Sequence, residues 1–413
     1  RLRVCRASAR GMSSSTTYAR STARSGPLRL DFVTLALVAA IVLLGLVMVT
    51  SASMSIAAKE AGEPFLYLER QLVLTVIGMA LAALALFVPT QLLERLAWPL
   101  LIVAIVLLLA VLIPGIGHSV NGSRRWIRLL GFNFQASELA RVLVLIFMAG
   151  YAVRRETELR AGIGGLLRPI GLLLFIFGLL LAQPDFGAAS VLLVTGFGVL
   201  FLAGARLRDV LGIAAACVAG LALLVWIEPY RMRRLTSFLD PWADPFDSGF
   251  QLTQSLIAIG RGEWFGVGLG ESVQKLFYLP EAHTDFLFAV LAEELGLVGV
   301  TLTLALFAAL VWRSFWIARA AFEAGHKFPA YLAAGFGIWI GVQSLINIGV
   351  NMGALPTKGL TLPLMSYGRS SLIVALAWIG ILLRVYHETV SEARGAATPR
   401  TRGLAQRDAE AAA

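Results

Sequence analysis

The sequence predicts an all-α polytopic membrane protein of about ten transmembrane helices, with one long outer loop between spans 7 and 8. Three observations carry this. Hydrophobic residues make up 58% of the 413 and charged residues only 15%, with a mean hydropathy of +0.78, whereas soluble domains run at about 45–50% apolar and about 25% charged. The apolar residues gather in runs close to the length a bilayer demands, about 17–25 residues. The positive charges fall between those runs, and nearly two thirds of the 35 Lys and Arg lie on the loops and tails of one side. That asymmetry places both termini in the cytoplasm.

Residues 1–31 carry seven Arg and no acid before Asp31, with Ser and Thr between them. They read as a disordered basic tail lying against an anionic cytoplasmic leaflet. Met12 opens a run, MSSSTTYARSTARSG, that would serve as an ordinary start, so residues 1–11 are expected to be dispensable. The expected spans are 32–52, 71–88, 96–113, 137–153, 169–183, 186–204, 208–227, 286–312, 330–352 and 367–386, together a membrane domain over 32–386. Residues 387–413 read as a second disordered cytoplasmic tail. Outside the membrane, 114–136 mixes Arg124, Arg125 and Arg128 with Trp126, Phe132 and Phe134, which suit an interfacial aromatic belt. The long loop, 228–284, has too many aliphatic and aromatic residues for disorder, and a short helix at 250–261 is expected to lie along the interface.

Several chemistries have no signature. Cys5 and Cys217 form no disulfide framework, and four His give no closed zinc site. Neither a phosphate-binding GxxxxGK[ST] loop nor a GxGxxG after a strand is present. The net charge of +10 follows membrane sidedness, so no nucleic-acid partner is expected. No internal repeat is evident, which argues against a transporter built on inverted repeats.

One stretch concentrates titratable groups at a membrane boundary. Tyr278 to Val300 reads YLPEAHTDFLFAVLAEELGLVGV, setting Glu281, His283 and Asp285 just ahead of an apolar run. Charge at such a boundary is costly and usually functional; the plainer reading is a helix-capping Asp in a solvated loop. Glu293 and Glu294 face either a hydrated cavity or the space above the hydrocarbon, and sequence does not decide between them.

With these residues in view, the chain resembles the SEDS family of bacterial cell-wall glycosyltransferases, its cell-division branch more than its elongation branch. The resemblance spans 32–386. It is carried by NGSRRWI (121–127), QASELAR (135–141), QPDFGAA (183–189), PYRMRRLTSFLDPWADPFDSGFQLTQS (229–255), GRGEWFGVGLGESVQKLFYLPEAHTDF (260–286) and PTKGLTLPLMSYGRSS (356–371). Ala136 and Arg369 depart from the family's usual QPSE and SYGGSS, and Arg141 stands where a Lys is common. The resemblance implies a lipid II polymerase on the outer, periplasmic face of the cytoplasmic membrane during septal wall synthesis, releasing undecaprenyl pyrophosphate. It implies partners as well: a class B penicillin-binding transpeptidase (FtsI-like) and other divisome membrane proteins (FtsQ-, FtsL- and FtsB-like). Asp285 matches the acidic residue regarded as essential in the family.

The chemistry suits these residues. A sugar hydroxyl displaces a pyrophosphate with inversion, which needs one base and neutralisation of the leaving group's charge. Asp285 is the expected base, with Glu281 and His283 as orienters, although His283 also reads as a structural interfacial residue. Arg231, Arg233, Arg234, Lys275 and Lys358 lie on the same outer side and could hold the pyrophosphates. Ser370 stands at the start of the last span, either as a phosphate-facing hydroxyl or as a simple cap. Glu138 and Arg141, three residues apart on span 4, meet on one face and line a cavity or form a structural pair. No cofactor is required, and a divalent cation such as Mg or Mn is compatible with the pyrophosphate, but no carboxylate pair dictates a metal site. Alternative readings are a lipid II flippase and a non-catalytic divisome scaffold for the transpeptidase.

Overall fold

The computed structural model describes residues 28–120, 123–129, 132–227, 238–246, 249–356 and 359–397. Among these, ten helices stand at the ten expected spans: α1 (Phe32–Ala61), α2 (Leu66–Phe87), α4 (Ala97–Leu112), α5 (Ala136–Arg154), α7 (Ile163–Ala182), α8 (Phe186–Leu202), α9 (Leu207–Ile227), α11 (Leu287–Glu323), α12 (Lys327–Asn351) and α13 (Arg369–Ala397). Two short helices, α3 (Thr90–Arg95) and α6 (Glu156–Ala161), turn the chain between spans, and α10 (Phe250–Arg261) lies in the long loop at the expected residues. α10 packs against α11, and Ser255 Oγ donates to Asn351 O at 2.8 Å, fixing it to the end of α12.

Burial sorts the spans. In α5, 89% of the apolar stretch is buried inside the protein, against 28% in α2, so α5 is central and α2 presents its sides to lipid. α2 rests on α13, and Gly380 allows the approach: a Cβ there would stand 2.1 Å from Ala82 O.

Three features depart from the expected helices and loops. Three strands, β1 (Gly117–Val120), β2 (Ser123–Leu129) and β3 (Phe132–Gln135), form an antiparallel sheet in the order β1-β2-β3 with Trp126 opposite Gln135. α13 runs to Ala397, so the part of the C-terminal tail directly after 386 is helical. α1 and α11 also outrun their expected spans, because a helix stabilised by its neighbours continues beyond the hydrocarbon that the apolar run measures.

The third departure is a break inside α11. Gly296 has φ 61° and ψ −159°, a conformation open essentially to glycine alone, and it separates an outer piece, 287–295, from the piece 297–323. Residues 262–268 fill the gap as a strap. Val267 N and Gly268 N donate to the carbonyls of Glu293 and Glu294 at 2.9 and 3.1 Å, and Leu297 N and Val298 N donate to those of Glu263 and Trp264 at 2.9 and 3.1 Å. Backbone groups freed by the break would otherwise be unsatisfied within the protein. A Cβ at Gly296 would lie 2.3 Å from Gly266 N, so the strap fits only against glycine.

The side chains of Glu293 and Glu294 are both fully buried inside the protein. Glu293 accepts from Arg261 (3.1 Å), Ser272 Oγ (2.5 Å) and Val273 N (3.2 Å). Glu294 accepts from Lys275 Nζ (2.7 Å) and Ser51 Oγ (2.7 Å).

At the opposite end of the bundle Asp31 caps α1 and takes a two-pronged contact from Arg313, Nε and a terminal nitrogen each at 2.8 Å. Burial alone would raise the Asp31 pKa, but the Arg313 and Thr34 hydrogen bonds hold it below the usual value.

Candidate active site

Asp285 lies in the turn that enters α11, and two asparagines one helical turn apart on α12 hold it. Its carbonyl accepts from Nδ2 of Asn347 at 2.9 Å and of Asn351 at 3.1 Å. Asn347 Nδ2 also donates to Leu360 O at 2.6 Å, and Asn351 Oδ1 accepts from Ala289 N at 3.1 Å. Both side chains are buried, so the turn at 285, the first turn of α11 and the loop after 359 share one rigid frame. The carboxylate rests against that loop: a Cβ on Gly359 would lie 3.2 Å from Asp285 Oδ2.

The electrostatics of Asp285 follow from what surrounds it. Burial and the negative charge of Glu281 push its pKa from 3.8 up to about 7; Asp185 adds to the rise and Arg125 opposes it. Among the described residues none donates a hydrogen bond to this carboxylate. A carboxyl that titrates near neutrality is half available as a base at physiological pH, where a general base is most effective.

Asp185 is the second acidic centre. It caps α8 by accepting from Ala188 N at 3.2 Å, and it also accepts from Ser137 Oγ (2.9 Å) and Gln135 Nε2 (3.1 Å). Arg125, projecting from β2, reaches Asp185 at 4.0 Å and donates to the carbonyls of Gln183 (3.2 Å) and Pro184. The sheet's role is thus to deliver a guanidinium to this end of the bundle. Ser370 Oγ accepts from Gln135 N at 2.8 Å, which ties α13 to the same junction.

Glu138 and Arg141 form a close, fully buried ion pair. Arg141 also donates to Gln343 Oε1 at 2.8 Å, and Gln343 Nε2 donates to Thr361 O at 3.0 Å. Arg141 lies 5.3 Å from the ring of Trp339, which stacks on Trp378 at 5.0 Å. The pair is a buried support for the loop that carries Gly359, joined to the site through that loop's backbone.

His283 is wedged between Tyr67 (4.7 Å) and Tyr367 (5.6 Å), and its carbonyl accepts from Tyr367 N at 3.0 Å. Burial pushes its pKa down against the opposing pull of Glu281 and Glu60. Glu281 is exposed, has φ 56°, and accepts from Thr284 Oγ1 at 2.6 Å.

The structure therefore gathers Asp285, Glu281, His283, Ser370 and the Glu138–Arg141 pair at one end of the bundle. Lys275 needs a correction as a pyrophosphate-binding cation. Its ammonium is buried against Glu294 and Ser51, at 2.7 and 2.9 Å, and its charge is already neutralised. Arg231, Arg233, Arg234 and Lys358 lie outside the described residues. Among the described residues no three His, Cys, Asp or Glu side chains come together as metal ligands. Asp185 was not singled out from sequence, and Arg125 was noted only as one of the basic residues of 114–136, although both lie in the stretches QPDFGAA and NGSRRWI. The pair Asn347 and Asn351, two amides one turn apart in an apolar span, was the available signal for the frame.

The model of the FtsW/RodA/SpoVE family of cell cycle proteins matches residues 31–391. The chain belongs to that family. The probable peptidoglycan glycosyltransferase FtsW of Thioalkalivibrio sulfidiphilus is 56% identical over 362 residues, covering 88% of this chain and 90% of that protein. Its namesake in Nitrosococcus halophilus is 56% identical over 353 residues, covering 85% and 91%. Among solved structures, a chain of a peptidoglycan synthase complex that coordinates polymerization and crosslinking superposes with a TM-score of 0.73 at 34% identity, covering 88% of this chain and 99% of that one. The rod shape determining protein RodA of Thermus thermophilus superposes with a TM-score of 0.65 at 34% identity, covering 88% and 98%. The two solved structures share the bundle on which the site is built.

Proposed function

We propose that this chain is a peptidoglycan glycosyltransferase that polymerises lipid II at the outer face of the cytoplasmic membrane during septal wall synthesis, with Asp285 as general base. One observation carries the mechanism: a carboxyl tuned to about 7, with no hydrogen-bond donor among the described residues, stands where a membrane span begins. There a lipid-anchored headgroup lies within reach. Asp285 takes the proton of the acceptor sugar hydroxyl as its oxygen attacks the anomeric carbon of the donor. The bond from that carbon to the pyrophosphate oxygen breaks, undecaprenyl pyrophosphate leaves as an anion, and the configuration inverts. Arg125, partly exposed beside Asp185, supports charge neutralisation of the leaving group, together with Arg231, Arg233, Arg234 and Lys358.

The same reading assigns a class B transpeptidase as partner, by analogy with the synthase complex that the chain resembles, and FtsQ-, FtsL- and FtsB-like proteins around the pair. It places both termini in the cytoplasm and 228–284 outside, so reporter fusions at Gly249 and Ala396 should report opposite compartments. The decisive experiment is purified protein with labelled lipid II, alone and with a transpeptidase partner. Glycan strands from the wild type and none from Asp285→Asn support the polymerase. Translocation of lipid II across vesicles without polymer would make the protein a flippase instead.

A further inference from the structure

At the end of the bundle opposite Asp285, a cleft of about 440 Å³ opens between α4, α5 and α7. Its floor is apolar, with Leu101 and Phe147 buried, and its rim carries Arg154, Arg155 and Arg168. α5 places it: Glu138 stands in the first turn near Asp185, and Arg154 is the last residue of the same 19-residue helix. At 1.5 Å per residue the two ends lie about 28 Å apart, close to the ~30 Å of hydrocarbon in a bilayer. Arg154 therefore sits at the opposite headgroup plane, which the topology proposed above makes the inner one.

The rim has more positive charge than its own acids neutralise. Glu158 serves two of the three arginines, pairing closely with Arg155 and lying 3.7 Å from Arg168. Among the described residues no carboxylate lies within ion-pairing distance of Arg154; Glu94 acts on it from further away, and its guanidinium lies 6.0 Å from the ring of Phe147. Arg168 is 71% exposed. A second observation lies at the cleft wall: Tyr151 is a lining residue, and its hydroxyl is buried with no hydrogen-bond partner among the described residues. Trp98 stands half out of the protein at the rim, its ring 4.8 Å from Phe147, in the manner of aromatic residues at a headgroup boundary.

We infer that this cleft binds an anionic phospholipid of the inner leaflet. Arg154 and Arg168 hold the phosphate, the Tyr151 hydroxyl donates to a headgroup oxygen, and an acyl chain lies over Leu101 and Phe147 beside Trp98. Guanidinium groups match phosphate oxygens geometrically, and basic pockets between spans on the cytoplasmic side suit acidic headgroups. A zwitterionic lipid would bring an ammonium to a rim that is already cationic.

The test uses the full chain, delipidated in detergent, and native mass spectrometry with phosphatidylglycerol or phosphatidylcholine of identical acyl chains. The wild type should retain phosphatidylglycerol about ten-fold better, a difference of about 1.4 kcal/mol. The double variant R154Q/R168Q should lose that preference, Y151F should weaken it without disturbing the fold, and R319Q, at a fully exposed arginine of the same end, should keep it. Equal retention of the two lipids by the wild type would overturn the inference. So would a preference that survives R154Q/R168Q, or one lost equally in R319Q. Displacement of the lipid by inorganic phosphate at equal concentration would reassign the cleft to a soluble anion.

Discussion

Glu293 and Glu294 are buried carboxylates within three turns of Asp285, and the contrast between the two regions shows what burial does and does not confer. Each glutamate has a cation and a hydroxyl turned onto it, Arg261 with Ser272 and Lys275 with Ser51. Asp285 has fixed backbone and no donor on its carboxylate among the described residues, while Glu281 and Asp185 add to the cost of its charge. A paired buried acid is architecture; an unpaired one near a second acid is reactive. Chain position alone would group all three together.

The contrast is broken most severely at Asp285 itself. Asp285→Asn keeps size and shape but removes basicity, and glycan synthesis should fall by about 10²–10⁴-fold, measured with purified protein in nanodiscs. A helix-capping role would leave most of the activity in the Asn variant.

Lys275→Met reverses the logic at the other region by stranding Glu294. A buried pair that loses one partner costs about 3–5 kcal/mol, so thermal unfolding in detergent should show a large drop. Lys275→Met combined with Glu294→Gln should recover most of it, because no charge is left unpaired.

Asp285→Asn should also be more stable than the wild type at alkaline pH. A carboxyl raised from 3.8 to about 7 in the fold penalises the folded state. The penalty is absent below the unfolded pKa, grows as pH rises between the two values, and is complete above about 7. It amounts to at most about 4 kcal/mol. Unfolding temperatures at pH 8 and pH 4 should therefore differ between variant and wild type only at the higher value. Equal stability at both would mean that burial does not raise the group.

The smallest effects sharpen the assignment of neighbours. The rate should climb with pH through about 7 and level off, since the base must be deprotonated. Glu281→Gln removes a repelling charge and should move that limb to lower pH, whereas Arg125→Gln should move it higher.

Much of this was legible in the sequence, and the exceptions have physical causes. The ten spans follow from hydropathy, because lipid imposes a length and a composition on every segment that crosses it. The helix at 250–261 was readable because the long loop holds too many aliphatic and aromatic residues for disorder. The sheet at 117–135 was not, since its strands are short and carry charge and glycine rather than a clean alternation. Asp285 stood out because it precedes a span. Asp185 precedes one as well, but its hydrogen bonds to Gln135 and Ser137 join residues about fifty positions apart. The fate of Lys275 depends on Ser51, far away in the chain, and no local pattern could show that its charge was already taken.

The strap at 262–268 also dictates how this end of the molecule breathes. Four amides, those of Val267, Gly268, Leu297 and Val298, bridge strap and helix in both directions across Gly296, so none can exchange its hydrogen for deuterium without parting the two. They should form one cooperative opening unit with a shared protection factor. Residues 287–295 ride on that unit as a short rigid lever with Asp285 at its tip. A ligand that slows exchange at the strap while leaving the turn at 285 unprotected would show that the lever is not rigid.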